Sequence, residues 1–250
     1  MKNFITKGKL CNLAGIFMII ILWQVASLIA DSAQIVPSPG ITFLSTWKIL
    51  TSPEFWPDMI NTIFRGITGF IISLLFAFIV GIPAGIHKNL FLFLNPLLVT
   101  IRSTPVISII LLAIIWLGNE NVPVFIAFLT MFPIICLNLI EGIGNVDEDL
   151  VEMGRVYKVK QSRIIREVYL PSIIPFLTSG ISNALGFGWR AIIIGEVLSQ
   201  PLQGIGTQMQ LSQSYLLVSE LIAWTIIAII ISYFFEMIVR KVEKKLVVWK

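Results

Sequence analysis

The sequence predicts an all-α protein that crosses a membrane six times, with both termini in the cytoplasm. Three observations carry this. Of the 250 residues, 56% are hydrophobic and 13% charged, about half the charged share of a soluble domain. Six apolar runs are each long enough to span a bilayer. Lys and Arg gather in alternate connections between those runs. A soluble core could not enclose this much apolar surface, so lipid must solvate much of it.

The first run is Leu13–Ala30, behind a basic start at Lys2, Lys7 and Lys9. It is long for a cleavable leader, and Asp31 suits cleavage after Ala33 poorly, so a retained helix is expected. The outer segment Asp31–Asp58 carries Pro37, Pro39, Pro53 and Pro57. Within it, Phe43, Leu44, Trp47 and Leu50 recur at helical spacing, as in a short amphipathic helix at the outer interface. A plain loop is the alternative. The second run, Met59–Ile86, holds Gly81 and Gly85 for close helix approach and Pro83, which invites a kink. Then come Phe91–Leu117, Val122–Ile140, Ser172–Leu198 and Leu217–Val239.

Orientation follows from the basic residues. With the N-terminus inside, the inner segments hold Lys2, Lys7, Lys9 and Lys88. They also hold Arg155, Lys158, Lys160, Arg163 and Arg166, then Arg240, Lys241, Lys244, Lys245 and Lys250. Lys48 falls outside, while Arg65, Arg102 and Arg190 fall within apolar runs. The positive charge of the chain (+4) is therefore a matter of membrane orientation, not of nucleic-acid binding. Cys11 and Cys136 form no CxxC pair, and His87 has no ligand-type neighbour, so neither a metal site nor a disulfide framework is expected.

The inner segment Glu141–Pro171 is too polar to span and too patterned for a linker. Asn145 is placed to cap a helix, with Glu148 in capping-box position and Asp147 and Asp149 beside it. Two short helices are predicted, Val146–Tyr157 and Ser162–Tyr169, with Pro171 opening the next span. Such a hairpin outside the bilayer suits docking to a soluble partner.

Here the sequence resembles a known family. Permeases of ATP-binding-cassette (ABC) importers carry a cytoplasmic loop of the form Glu-Ala-Ala, three residues, Gly, nine residues, then Ile-x-Leu-Pro. This chain reads Glu152-Met153-Gly154-Arg155-Val156-Tyr157-Lys158, nine residues, then Val168-Tyr169-Leu170-Pro171. The Glu, the Leu-Pro and the spacing match, and the loop falls between the fourth and fifth spans. Other stretches resemble the branch that imports sulfonate, taurine and nitrate: Val36-Pro37-Ser38-Pro39, Phe93-Leu94-Asn95-Pro96, Ile101-Arg102-Ser103-Thr104-Pro105, Trp116-Leu117-Gly118, Phe132-Pro133-Ile134 and Gly195-Glu196-Val197.

The departures lie in the loop. Met153 and Gly154 stand for the two alanines, and Lys158 for the glycine. Glycine turns the chain there through a left-handed backbone at little cost; lysine in that geometry costs about 1 kcal/mol. An altered turn or an altered partner surface is expected.

The resemblance implies a type I importer permease in a bacterial cytoplasmic membrane, built as a dimer, a homodimer by default. It implies an external binding protein and ATPase subunits that grip the loop at Glu152, Met153, Gly154, Val156, Tyr157, Lys158, Leu170 and Pro171. Glu152 would be the charged contact. The chain holds no G-x-x-x-x-G-K-[ST] phosphate loop, so ATP and Mg²⁺ are expected on the partner ATPase, with no cofactor and no catalysis in this chain. It divides into residues 1–58, a five-helix core at 59–241 with the coupling loop at 141–171, and a tail at 242–250.

Polar residues inside the spans are candidates for a path or gate: Arg102, Arg190 and Glu196, with Pro105 and Gly186 beside them. Arg102 is read either as a pathway residue or as one that snorkels to the cytoplasmic interface. Arg190 and Glu196 are off-phase on a helix, so each is expected to pair elsewhere, and Glu196 has a second reading near the outer surface. Gly180, Gly186, Gly188 and Gly195 fit a tight seam or gate, or ordinary helix packing. The competing class, an ATP-independent secondary transporter or channel, calls for inverted repeats or several buried carboxylates, and the sequence displays neither. An intramembrane enzyme calls for converging catalytic groups, which are equally missing from the sequence.

Overall fold

The computed structural model describes residues 2–246, with side chains from Ala14 through Ile238 and at Lys241. The side chains of Lys2, Lys7, Lys9, Arg240, Lys244 and Lys245, and Lys250 entirely, lie outside the described residues; so do residues 247–250 and the side chains of the rest of the predicted tail 242–250.

Helices form throughout, as backbone in lipid requires. In order they are α1 (Lys2–Ala30), α2 (Pro39–Thr51), α3 (Phe55–Ile86), α4 (Lys88–Ser103), α5 (Val106–Leu117) and α6 (Val122–Gly144). Then follow α7 (Glu148–Val156), α8 (Gln161–Ile164), a π-turn (Ile165–Tyr169), α9 (Leu170–Ser199), α10 (Ile205–Ser214) and α11 (Val218–Leu246).

Among the described residues, four helical stretches are long and apolar enough to cross a membrane alone: Phe55–Ile86, Val122–Gly144, Gln161–Ser199 and Val218–Ile238. The predicted third span is not one rod. It breaks into α4 and α5, which meet at 95°. Pro105 supplies no N–H and drives the preceding Thr104 into extended backbone (φ −71°, ψ 131°), so the helix ends there. If this bent pair counts as one span, the total is five; the apolar part of α1, Ala14–Ala30, is shorter than the others.

The centre is α6, clasped between α3 and α9. Ala77, Met131, Ile135, Cys136, Ala184 and Ile192 form its dry core. Small residues set the spacing. A Cβ on Gly85 would stand 2.7 Å from Ile143, and one on Gly180 would stand 2.7 Å from Asn138. The Gly81/Gly85 expectation thus holds for the α3–α6 seam, while α3 runs unbroken through Pro83. Gly180, Gly188 and Gly195 pack on Asn138, Met131 and Pro123 of α6, so they serve this chain's own packing. Gly186 faces open space.

A second core joins α2, α10 and α11 through Ile49, Ile205, Trp224 and Ile227. The expected outer helix is therefore present as α2, capped by Ser38, whose Oγ accepts the Ile41 N–H at 3.3 Å. Phe43, Leu44 and Trp47 point outward from it. The outer faces of α3, α5 and α11 present Phe64, Ile79, Ile115 and Ile229 in the same way, as lipid contact requires. Helix α10 had no counterpart in the sequence reading.

Candidate functional site

Three regions hold the polar chemistry. The first is the inner loop. Asp147, not Asn145, caps α7: its Oδ1 accepts the N–H of Asp149 at 3.0 Å and of Leu150 at 3.3 Å. Asn145 instead closes the end of α6, donating from Nδ2 to the Glu141 carbonyl at 2.8 Å. Val151 faces inward, and Gly154 sits against the buried Ile164, where a Cβ would lie 3.1 Å from its tip.

Helix α7 ends in a Schellman motif. The Val159 N–H donates to the Gly154 carbonyl at 2.9 Å, and the Lys158 N–H to the Arg155 carbonyl at 3.0 Å. Lys158 carries the left-handed backbone, φ +54°. The turn is therefore not altered by the lysine; the departure from the family's glycine lies in the side chain alone.

Outward, α7 presents Glu152, Met153 (52% exposed), Val156 (72%) and Tyr157 (77%). These large apolar groups beside a carboxylate form an exposed patch on the loop helix. Behind it lies a cleft of about 720 Å³ between the ends of α3 and α6, α7 and Tyr169, with Glu148, Glu152 and Arg155 in its wall.

Pro171 does not open a new helix. The π-turn 165–169 joins α8 to α9 without a break, the Leu170 N–H reaching back to the Ile165 carbonyl. A proline near a helix start loses only bonds that a π-turn can relocate. Leu170 is half exposed at this junction, and Pro171 is partly buried.

The second region is an outer polar network that holds the α9–α10 connection. Arg65 is 6% exposed and Glu196 is fully buried. Arg65 Nη1 donates to Glu196 Oε1 at 2.8 Å and to the Gln203 carbonyl at 2.6 Å; Nη2 donates to Glu120 Oε2 at 2.6 Å. Glu120 also accepts the Leu202 N–H at 2.7 Å. The other Glu196 oxygen accepts the Gly206 N–H at 2.9 Å. Thr62 donates to Glu196 at 2.9 Å and accepts the Ile205 N–H at 2.9 Å, and Asp58 accepts the Gly204 N–H at 2.8 Å. Among the described residues the buried Arg65 and Glu196 are thus paired, and the buried Asp58 carboxylate accepts a backbone N–H, which is how an apolar protein keeps such groups.

The third region is the outward stripe of α9. Asn183, Gly186, Phe187 and Arg190 follow helical spacing and are all exposed. Two cavities flank them. One, of about 420 Å³, lies between α3, α9 and α11 and holds both Arg190 and Glu236. The Arg190 guanidinium stands 6.0 Å from the Phe187 ring centre. The other, of about 490 Å³, lies at the α4–α5 elbow and holds Arg102, Asn138 and Asn183. Pro105 forms the elbow itself.

Residues 69–248 match the family described as binding-protein-dependent transport system inner membrane component. The chain belongs to that family. It is a permease subunit of an ABC importer, an inner-membrane transport component whose family works with an ATPase and a substrate-binding protein. Among its relatives is a Bacillus subtilis permease named for aliphatic sulfonates transport, SsuC, 29% identical over 93% of this chain and 85% of the relative. The bicarbonate transport system permease protein CmpB of Synechococcus elongatus is 29% identical, covering 80% of this chain and 75% of its own. The taurine transport system permease protein TauC of Escherichia coli is 21% identical over 93% and 86%.

The site residues of the permease read from sequence fall into separate places. Glu152 through Lys158 share one inner helix and its cap, with Leu170 and Pro171 at the root of α9. Arg102 and Pro105 share the elbow cavity region, Gly186 and Arg190 the α9 stripe. Glu196 lies apart from both cavities, inside the outer network. Sequence reasoning noted Arg65 as intramembrane but gave it no role, and passed over Asp58, Thr62 and Glu120. The available signal was one of balance: a guanidinium and a carboxylate buried in neighbouring apolar runs need each other.

Proposed function

We propose that this permease imports a small oxyanion, sulfonate, taurine, nitrate or bicarbonate in type, as a homodimer driven by ATP hydrolysis on its partner. The relatives' names carry the cargo class: they speak of aliphatic sulfonates, taurine and bicarbonate. The observation that carries the mechanism is the inner loop, a capped helix presenting Glu152, Met153, Val156 and Tyr157 to water between the two spans that line the core. A self-contained pump would not need such a face; a subunit moved by another protein would.

In this reading the chain has six spans, with both ends inside, and the core 59–241 forms the moving part. The loop 141–171 receives the ATPase at Glu152, Met153, Gly154, Val156, Tyr157 and Lys158, with Leu170 and Pro171 transmitting to α9. A second copy covers the polar stripe of α9, since one chain supplies one coupling loop. The chain performs no catalysis, and ATP with Mg²⁺ binds only the partner. Secondary transport is the weaker reading, because the two carboxylates buried among the described residues, Asp58 and Glu196, are engaged by loop N–H groups rather than free to couple to an ion.

The test is reconstitution. The permease, purified with the ATPase that accompanies it, is placed in vesicles with the binding protein and a labelled alkanesulfonate, taurine or bicarbonate. ATP-dependent uptake is expected. Uptake by the chain alone, without ATP, would overturn the proposal.

A further inference from the structure

We propose that the cavity behind the α4–α5 elbow is an oxyanion site on the route through the permease, with Arg102 as its charge. The proposal rests on the anion reading above and gives it a place.

The cavity measures about 490 Å³, within the range that holds small ligands. Its polar lining is Arg102, Thr104, Thr130, Asn138 and Asn183, and the remaining walls are apolar. Among the described residues no carboxylate lines it, so the charge they fix there is positive. The neighbouring cavity differs in this respect, since Arg190 and Glu236 both line it. Asn183 and Phe187 line both, so α9 is a common wall and an anion leaving one cavity enters the other along it.

The backbone adds to the charge. The elbow cuts an apolar span at 95°, and α5 starts there without a side-chain cap. Its first helical bond is from the Ser108 N–H to the Pro105 carbonyl at 3.1 Å, so the N–H groups of Val106 and Ile107 precede the ladder. Val106 itself lines the cavity. Broken spans place half-helix N-termini toward anionic groups in this manner. The guanidinium supplies planar, two-pronged donation suited to a sulfonate or carboxylate head. Asn138 spends one N–H on the Ile134 carbonyl at 2.8 Å and keeps the rest of its amide for a ligand. A cation in an apolar run is costly unless it reaches water or a polar cavity, and Arg102 is exposed and lines this one.

The test uses charged thiol reagents on the full complex in vesicles. Cys11→Ser removes one native thiol, and Cys136 is fully buried. Asn183→Cys, or Thr130→Cys where the first variant fails to assemble, reports from the cavity. Its modification rates are measured with a sulfonate-bearing and a trimethylammonium-bearing methanethiosulfonate. Arg102→Gln is expected to lower the anionic-to-cationic rate ratio about fivefold, and Arg102→Lys to keep most of it. Excess ethanesulfonate is expected to slow modification with Arg102 present and not with Gln. A ratio unmoved by Arg102→Gln, as a snorkelling arginine would give, overturns the site. Uptake of labelled sulfonate is read in the same vesicles. Uptake with an unmoved ratio removes the site and leaves the importer; a moved ratio without uptake keeps the site and removes the proposed cargo.

Discussion

Arg65 and Glu196 lie 131 residues apart in sequence and 2.8 Å apart in the fold, both shut away from water. The pair ties α3 to the end of α9, and the same guanidinium reaches Glu120 on the α5–α6 turn. Three segments that share no chain neighbour are thereby fixed at the outer end of the bundle.

Breaking the pair from one side should be severe. Arg65→Met leaves Glu196 charged and enclosed, and a loss of about 3–5 kcal/mol is expected. Glu120→Gln, on the half-exposed arm of the same network, should cost less than about 1 kcal/mol. Thermal unfolding of the detergent-purified permease, read side by side for the two variants, checks the contrast.

Gly206 should tolerate no side chain. A Cβ there would stand 2.6 Å from the Ile193 carbonyl oxygen and 2.6 Å from Glu196 Cβ. Gly206→Ala is expected to cost about 1–3 kcal/mol and to loosen the α9–α10 connection. Faster proteolysis at residues 200–206 in intact vesicles would register it. Gly144→Ala, at the inner end of α6 with open space around it, serves as the control.

The left-handed residue of the inner loop makes the opposite prediction. Lys158→Gly should stabilise the loop by about 1 kcal/mol, since glycine adopts φ +54° freely, and Lys158→Val should destabilise it. Hydrogen exchange at the Val159 amide, which closes the Schellman motif, gives the readout.

The docking face can be tested without touching the fold. Glu152→Lys and Tyr157→Ala alter exposed groups, so expression and melting should stay unchanged. Co-purification of the ATPase should fall about tenfold for each, with substrate-stimulated hydrolysis falling alongside. Full recovery of the ATPase with both variants would exclude this face as the contact.

Much of the architecture was legible because lipid leaves the chain few choices. Long apolar runs must be helices, and basic residues sort between the two sides. The left-handed position at Lys158 was legible too, since a motif spacing fixes where the turn falls. What hydropathy could not convey was direction. Phe91–Leu117 reads as one apolar run, yet Pro105 turns it through 95°. Composition likewise hid the partner of Arg65, because pairing depends on which spans become neighbours. The capping residue moved from Asn145 to Asp147 for a local reason. The end of α6 claimed the asparagine side chain, and the next carboxylate had two free N–H groups within reach.

The continuity of α8, the π-turn and α9 has a mechanical consequence. Residues 161–199 form a single helical shaft of 39 residues, about 58 Å at the usual rise. Its lower end is rooted at the loop, close contacts seat it against α6 from Ile173 to Gly195, and its upper end carries Glu196. A rod seated along its length shifts as one body. A push on its foot is therefore expected to reach Arg65, Glu120 and the α9–α10 connection through the same piece of backbone, with no relay of separate side chains between them.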